Sequence, residues 1–140
     1  MQNIYATSLN YKGKAVLLTG VSGSGKSDLA LRLIMRYGAK LIADDRTDIE
    51  AKDGGLKAFA PKNISGLLEI RGIGIQKMPF DKEGSVILCV ELTKDPKEVE
   101  RMPEEHFTEL EGIKLPVLKL FAFEDSAPEK IVIKMDSLLD

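Results

Sequence analysis

The sequence predicts an α/β fold with a mixed, strand-rich sheet organised around a single phosphate-binding loop. Three observations carry this. Gly20-Val21-Ser22-Gly23-Ser24-Gly25-Lys26-Ser27 fits the pattern G-x-x-x-x-G-K-[ST]. The loop is preceded by Ala15-Val16-Leu17-Leu18, an apolar run of strand length. It is followed by Leu29, Ala30, Leu33, Ile34 and Tyr37, spaced as one face of a helix, with Asp28, Arg32 and Arg36 on another. Strand-like segments also outnumber helical ones, which departs from a regular βαβ array and points to a mixed sheet.

In chain order, Ile4 to Asn10 alternates loosely and reads as a first strand, and Tyr11-Lys12-Gly13-Lys14 as the turn into the loop's strand. The loop's helix is expected over 26–37, with Gly38 at its C-terminal cap. Leu41-Ile42-Ala43 is a short strand ending at Asp44-Asp45. Asp53-Gly54-Gly55 is a hairpin signal between strands over 48–51 and 56–60, and Pro61-Lys62-Asn63 breaks the chain. Leu67 to Ile75 is an apolar run interrupted by Glu69, Arg71, Gly72 and Gly74; on composition alone it reads as an amphipathic edge strand with a bulge. Ser85 to Leu92 is the strongest buried-strand candidate. Pro96 to Met102 is expected as a short polar helix, and 107–110 and 113–121 as strands around the Glu111-Gly112 turn. Ser126-Ala127-Pro128-Glu129 reads as a capping box that opens a last helix to about Leu139.

A length of 140 residues suits one domain over 1–140, large enough to bury a core without disulfides. The chain is 44% apolar and 30% charged, with net charge −2 and a pI near 5.5. It carries no global basic footprint for nucleic acid and no apolar run of membrane-spanning length. Met1 to Tyr5 lacks the pattern of a signal peptide, so a cytoplasmic location is expected. Cys89, the only cysteine, lies in an apolar run and reads as a core residue. His106 in a polar patch, and Lys94, Lys97 and Arg101 among acids, read as surface.

The loop chemistry is that of a phosphate cradle. Glycines let successive N–H groups turn inward, Lys26 brings a charge to the β- and γ-phosphates, and Ser27 offers a hydroxyl to Mg²⁺. A helix N-terminus at the same place favours the anion. The carboxylates of Asp44 and Asp45 stand at a strand end after the loop's helix, where such proteins hold Mg²⁺ or its waters. Two adjacent carboxylates permit a division of labour: one serves the metal, the other accepts a proton from an attacking hydroxyl. In a regular strand the two point to opposite sides, so only one faces the phosphate. Glu69 and Arg71, if buried, need partners, which phosphate and Mg²⁺ would supply.

Gly20 to Ser27, then Leu41-Ile42-Ala43-Asp44-Asp45-Arg46, then Leu67-Leu68-Glu69-Ile70-Arg71-Gly72-Ile73-Gly74-Ile75 resemble, in order and spacing, the HPr kinase/phosphorylase family. The last piece looks like the family signature and is far more specific than the loop. The resemblance covers 4–90 closely and the remainder loosely. It corresponds to the family's C-terminal catalytic domain, with the separate N-terminal domain of longer members expected to be absent. Phe121 to Lys130 looks like the short proteobacterial members. The resemblance implies a P-loop kinase-like fold and an ATP-dependent serine kinase acting on the phosphocarrier HPr or an HPr-like protein, with phosphate-dependent dephosphorylation as a further activity. It implies ATP on Gly20, Val21, Ser22, Gly23, Ser24, Gly25, Lys26 and Ser27, with Lys26 acting on the transferred phosphate. It implies Mg²⁺ on Ser27 and Glu69, with Asp44 beside them. It implies Asp45 as proton acceptor in phosphorylation and donor in the reverse direction, Arg101 as a functional arginine, and a hexamer as the assembly.

Three positions depart from the family. Tyr5 stands where a histidine is usual, Asp28 where the lysine-serine pair is usually followed by Glu, and Leu118-Lys119-Leu120 follows Pro116-Val117 where an arginine- and glycine-containing loop is common. Kinase activity keeps its main parts and phosphorolysis loses some. The competing readings are a small-molecule kinase or NTPase on the same loop, and a nucleotide-binding regulatory module with little catalysis, the latter motivated by Tyr5.

Overall fold

The computed structural model describes residues 1–62 and 64–140; of the break expected at Pro61-Lys62-Asn63, Asn63 lies outside the described residues. Ten strands and two helices follow in the order β1 (Gln2–Tyr11), β2 (Lys14–Thr19), α1 (Lys26–Tyr37), β3 (Lys40–Ala43), β4 (Arg46–Lys52), β5 (Gly55–Phe59), β6 (Leu67–Ile70), β7 (Gly74–Lys77), β8 (Glu83–Leu92), β9 (His106–Leu110), β10 (Ile113–Leu120) and α2 (Ala127–Leu139). Eight of the strands form one mixed sheet, and β6 and β7 pair only with each other.

The pairing around β1 is what builds the site. Ala6 to Tyr11 pair antiparallel with β2. Gln2 to Tyr5 pair with β4 and Ser8 to Asn10 with β3, so β3 and β4 lie end to end beside one strand. Asp44-Asp45 is the joint between them. Strand β4 pairs with β5, β5 with β8, and β8 runs parallel to β2, so five strands close into a ring. Strand β10 continues the sheet parallel to β8.

Alternation along these strands feeds two cores. Ala15, Leu17, Ile49, Leu56, Ala58, Val86 and Cys89 gather in one. Val16, Leu18, Leu88 and Val90 pack with Leu29, Leu33, Ile131 and Met135 of the helices in the other. A bulge opposite Ala15 and Val16 shifts the register of β8, which explains why Val86 and Leu88, two residues apart, serve different cores.

Helix α1 spans the expected residues, and Gly38 closes it at φ 67, a left-handed conformation that glycine adopts without penalty. Three expectations change. Leu67 to Ile75 is not an edge strand with a bulge: Arg71-Gly72-Ile73 turns the chain, and Leu67–Ile70 pairs with Gly74–Lys77 as a hairpin. The helix expected over 96–102 shrinks to a 3₁₀ turn at Pro96–Glu98, because its polar sequence has no apolar face to bury. Ser126 precedes α2, but its hydroxyl turns to Glu124 rather than capping the helix. Glu129, the expected return partner, accepts instead from Tyr37 at 2.6 Å and Arg36 at 3.1 Å, which ties α2 to α1. No helix is long and apolar enough to cross a membrane among the described residues.

Candidate nucleotide and phosphoryl-transfer site

The parallel strands β2, β8 and β10 end side by side, with Thr19 opposite Glu91 and Leu92 opposite Leu120. Ligands of α/β sheets gather at such carboxyl ends. The phosphate-binding loop leaves β2 there and enters α1. Two of its glycines are forced by space as well as by backbone. At Gly20 (φ 146) a Cβ would lie 2.6 Å from Ser24 Oγ and 2.9 Å from the Leu92 carbonyl; at Gly25 (φ 97) it would lie 2.8 Å from Ala122 Cβ. Any side chain at either position would displace the wall of the cradle.

Lys26 is buried except for a small fraction of its surface, and its Nζ folds back into the loop. It donates to the carbonyls of Gly20 at 2.8 Å and Val21 at 3.2 Å. The Tyr5 ring covers it, with Nζ 4.0 Å from the ring centroid, a cation–π contact. Arg46 approaches the same ring at 5.3 Å.

Asp44 is the hub of the site. Its Oδ1 accepts from the Ser27 hydroxyl at 2.8 Å and from the Thr7 hydroxyl at 3.1 Å, and its Oδ2 accepts from the Glu69 N–H at 3.2 Å. One carboxylate thus ties together β1, the loop's helix and the β6–β7 hairpin. Asp45 follows at φ 68, and the Arg46 N–H donates across it to the Asp44 carbonyl at 2.7 Å, a three-residue γ-turn. The Asp45 N–H is taken by Thr7 Oγ1 at 3.1 Å. The strand therefore does not stay regular through the pair, and the expected choice between the two faces does not arise. Asp44 points to Ser27, and Asp45, exposed, lines the open cleft.

That cleft, of about 870 Å³, is lined by Tyr5, Lys26, Ser27, Asp45, Glu69 and Arg71, with Leu31, Phe123 and the hairpin turn around Gly72. Glu69 and Arg71 are exposed rather than buried, so the expectation that burial forces them to find partners does not apply. They reach the cleft because β6 alternates: Leu68 is fully buried, leaving Glu69 on the open face. Arg101 is not brought here. It is exposed on the chain after the 3₁₀ turn and lines a separate groove with His106, Phe107 and Lys119.

Among the described residues, no group of three or more His, Cys, Asp or Glu side chains gathers as a metal cluster. Ser27 and Asp44 nonetheless form a hard-oxygen pair at the mouth of the loop, with Glu69 in the same cleft. Such a set suits Mg²⁺, which binds through one or two carboxylates and leaves most positions to waters and substrate phosphates. The cradle of glycines and Lys26 likewise suits a nucleotide polyphosphate.

Three residues at the site carry no signal in the loop motif. Thr7 joins Asp44 to the Asp45 backbone, and only strand pairing brings it there. Lys94, which reads as surface, lies against the loop: a Cβ at Gly23 would be 3.4 Å from its Nζ. Phe123 touches the loop at Gly25. Lys94 and Phe123 follow the ends of β8 and β10, and recognising β8 as the parallel neighbour of β2, and β10 as that of β8, is the signal that would have found them.

Comparison with known proteins places the chain in a family. A relative from Clostridium botulinum (strain Eklund 17B / Type B), an HPr kinase/phosphorylase, is 37% identical over 127 residues, 84% of this chain and 41% of its own length. An HPr kinase/phosphorylase from Lactobacillus acidophilus is 51% identical over 74 residues, covering 52% of this chain and 23% of the relative. The chain thus spans well under half the length of these curated relatives. The solved structure of the Hpr(Ser) kinase/phosphatase from Coxiella burnetii superposes with a TM-score of 0.85 at 27% identity, over 99% of this chain and 97% of that one. The family model described as HPr Serine kinase C-terminal domain matches residues 1–132, and the chain belongs to that family.

Proposed function

We propose that this chain is an ATP-dependent protein serine kinase whose substrate is HPr or an HPr-like phosphocarrier, with phosphate-dependent dephosphorylation as a second activity. The observation that carries it is the meeting of Lys26, Ser27, Asp44, Asp45 and Glu69, drawn from three separate stretches of chain, around one open cleft.

In this reading Gly20 to Ser27 hold the phosphates through backbone N–H groups. Lys26 leaves the Gly20 and Val21 carbonyls for the transferred phosphoryl group, where its charge offsets the developing negative charge. Ser27, Asp44 and Glu69 hold Mg²⁺, which when bound neutralises phosphate charge. Asp45 accepts the proton of the substrate serine as its oxygen attacks phosphorus, and returns a proton to that oxygen in the reverse direction. Asp44 is held by Thr7 and the Glu69 N–H, so the neighbouring carboxylates keep distinct duties. Asp45, Glu69 and Arg71 are exposed in the cleft lining, which leaves them accessible to a protein substrate. Residues 1–140 acting as one domain, a homo-oligomer such as a hexamer, and a cytoplasmic location belong to the same proposal.

The test is incubation with labelled ATP, Mg²⁺ and a serine-bearing HPr. Label on the protein is expected, reduced about 10²–10³-fold by Lys26→Ala. Label on a small molecule instead would favour the small-molecule kinase. Tight nucleotide binding with no transfer would favour the regulatory module, a reading supported by the engagement of Lys26 with two carbonyls and the Tyr5 ring.

A further inference from the structure

Phe123 is an exposed aromatic ring on a rigidly held loop. It lines the cleft together with Leu31 of α1. The ring is 56% exposed, although the chain around it is fixed from several directions. Arg32 of α1 donates to the carbonyls on both sides of it, through Nη2 to Ala122 and through Nη1 to Glu124 at 3.1 Å. The Glu124 N–H closes a turn onto the Phe121 carbonyl at 3.3 Å. The Phe121 ring meets Phe123 edge-on, with centroids 5.6 Å apart and planes at 72°. Arg36 extends the clamp to the Asp125 carbonyl at 3.0 Å. Two ring atoms of Phe123 sit 3.3 Å from where a Cβ on Gly25 would be, so the ring abuts the phosphate loop at the start of α1.

A large apolar side chain left open to water forgoes the gain of burial, yet three hydrogen bonds from Arg32 and Arg36 hold this loop in place. A pre-positioned ring beside a phosphate cradle is suited to a flat, aromatic ligand part attached to a phosphate, because no ordering cost remains to be met on binding. We propose that Phe123 is the nucleobase platform of the site: the base of the nucleotide stacks on its ring while the phosphates lie in Gly20 to Ser27. This rests on the reading of the loop as a nucleotide site and adds the residue that recognises the base. Every base has a π-face, so stacking on Phe123 tolerates adenine and guanine alike.

The test compares binding of ATP, GTP and inorganic tripolyphosphate, each with Mg²⁺, by titration calorimetry on the wild type, Phe123→Ala and Phe123→Trp. Phe123→Ala is expected to weaken ATP and GTP by about 10- to 100-fold, the range of base–aromatic stacking losses, with tripolyphosphate unchanged and Phe123→Trp restoring the nucleotides. Retained tripolyphosphate binding also shows that the variant is folded. ATP affinity unchanged in Phe123→Ala overturns the platform, and so does an equal loss of ATP and tripolyphosphate, which would make the ring a support of the loop. Failure of the wild type to bind either ligand would overturn the nucleotide site itself, a result distinct from both.

Discussion

Asp45 occupies a backbone conformation that few residues accept, and this shapes the way its role is tested. At φ 68 a side chain without a polar end is strained, whereas Asn and Asp tolerate the left-handed region. Asp45→Asn therefore keeps the γ-turn and removes only the carboxylate charge. It is expected to retain ATP affinity and lower kinase turnover by about 10²-fold or more. Asp44→Asn removes half of the oxygen pair shared with Ser27 and weakens the anchoring of Thr7 and Glu69. Its expected effect is a higher Mg²⁺ requirement, with a smaller loss of turnover at saturating metal. Calorimetry for nucleotide and a Mg²⁺ titration of turnover on the same preparations separate the two. Exchanged phenotypes would reverse the assignment of base and metal ligand.

At the scale of elements, the two helices are joined by polar contacts at the edge of a shared apolar core. The Tyr37 hydroxyl, more than the Arg36 guanidinium, holds the Glu129 carboxyl below its ordinary value of 4.5. The Tyr11 hydroxyl and Lys12 hold Asp136 of α2 below 3.8 in the same way. A carboxylate with a lowered folded value contributes stability above its unfolded value and loses it as pH falls through the folded one, because the unfolded chain then binds more protons. Docking of α2 should accordingly weaken as pH drops below the ordinary carboxylate range. Glu129→Gln should lower the melting temperature at neutral pH, with the difference from wild type shrinking towards about pH 3. A difference that is constant with pH would show that the Tyr37 contact acts through packing alone. Arg32 and Arg36 of α1 also clamp the loop that carries Phe123 and leads into α2, so α2 docking bears on the candidate site.

For the whole molecule, the closed ring of β1, β2, β8, β5 and β4 makes one core inaccessible without breaking strand pairs. Cys89 lies in that core, and burial pushes its thiol above the usual range. A buried, protonated thiol is a poor nucleophile. Labelling of Cys89 by a thiol reagent should be slow in the native protein and should rise with denaturant along the global unfolding transition. Fast labelling well below that transition would mean that the ring opens locally. The hairpin of β6 and β7 stands outside this ring: Leu68, Ile70 and Met78 pack on the helical core, the Glu69 N–H donates to Asp44, and the Met78 N–H closes the hairpin's own base onto the Gly66 carbonyl. One part of the site therefore rests on the ring, and the part carrying Glu69 and Arg71 rests on a hairpin packed against it from outside.

The sequence by itself determined the features that are written in neighbouring residues. The loop from Gly20 to Ser27, the span of α1 with its Gly38 cap, the turns at Lys12-Gly13, Asp53-Gly54 and Glu111-Gly112, and the burial of Cys89 follow from local spacing and turn chemistry. The family pattern in Leu41 to Arg46 and Leu67 to Ile75 was also legible, because it lies in short continuous stretches. The tertiary structure decided what depends on partners far along the chain. Tyr5 covers Lys26 because β1 is paired with both β2 and β4. Asp44 and Asp45 both serve one site because β3 and β4 share an edge of β1 and Thr7 fills the joint between them. Ser126 makes no capping bond because its hydroxyl turns to Glu124, and the Glu129 carboxylate accepts instead from Tyr37 and Arg36 of α1. Arg101 follows the 3₁₀ turn after β8 and lines a separate groove, a placement set by the chain's path and not by local sequence. Local propensity fixes an element's kind. The direction of a side chain at an element's end is set by long-range pairing, whose free energy exceeds the small preferences readable in a window of sequence.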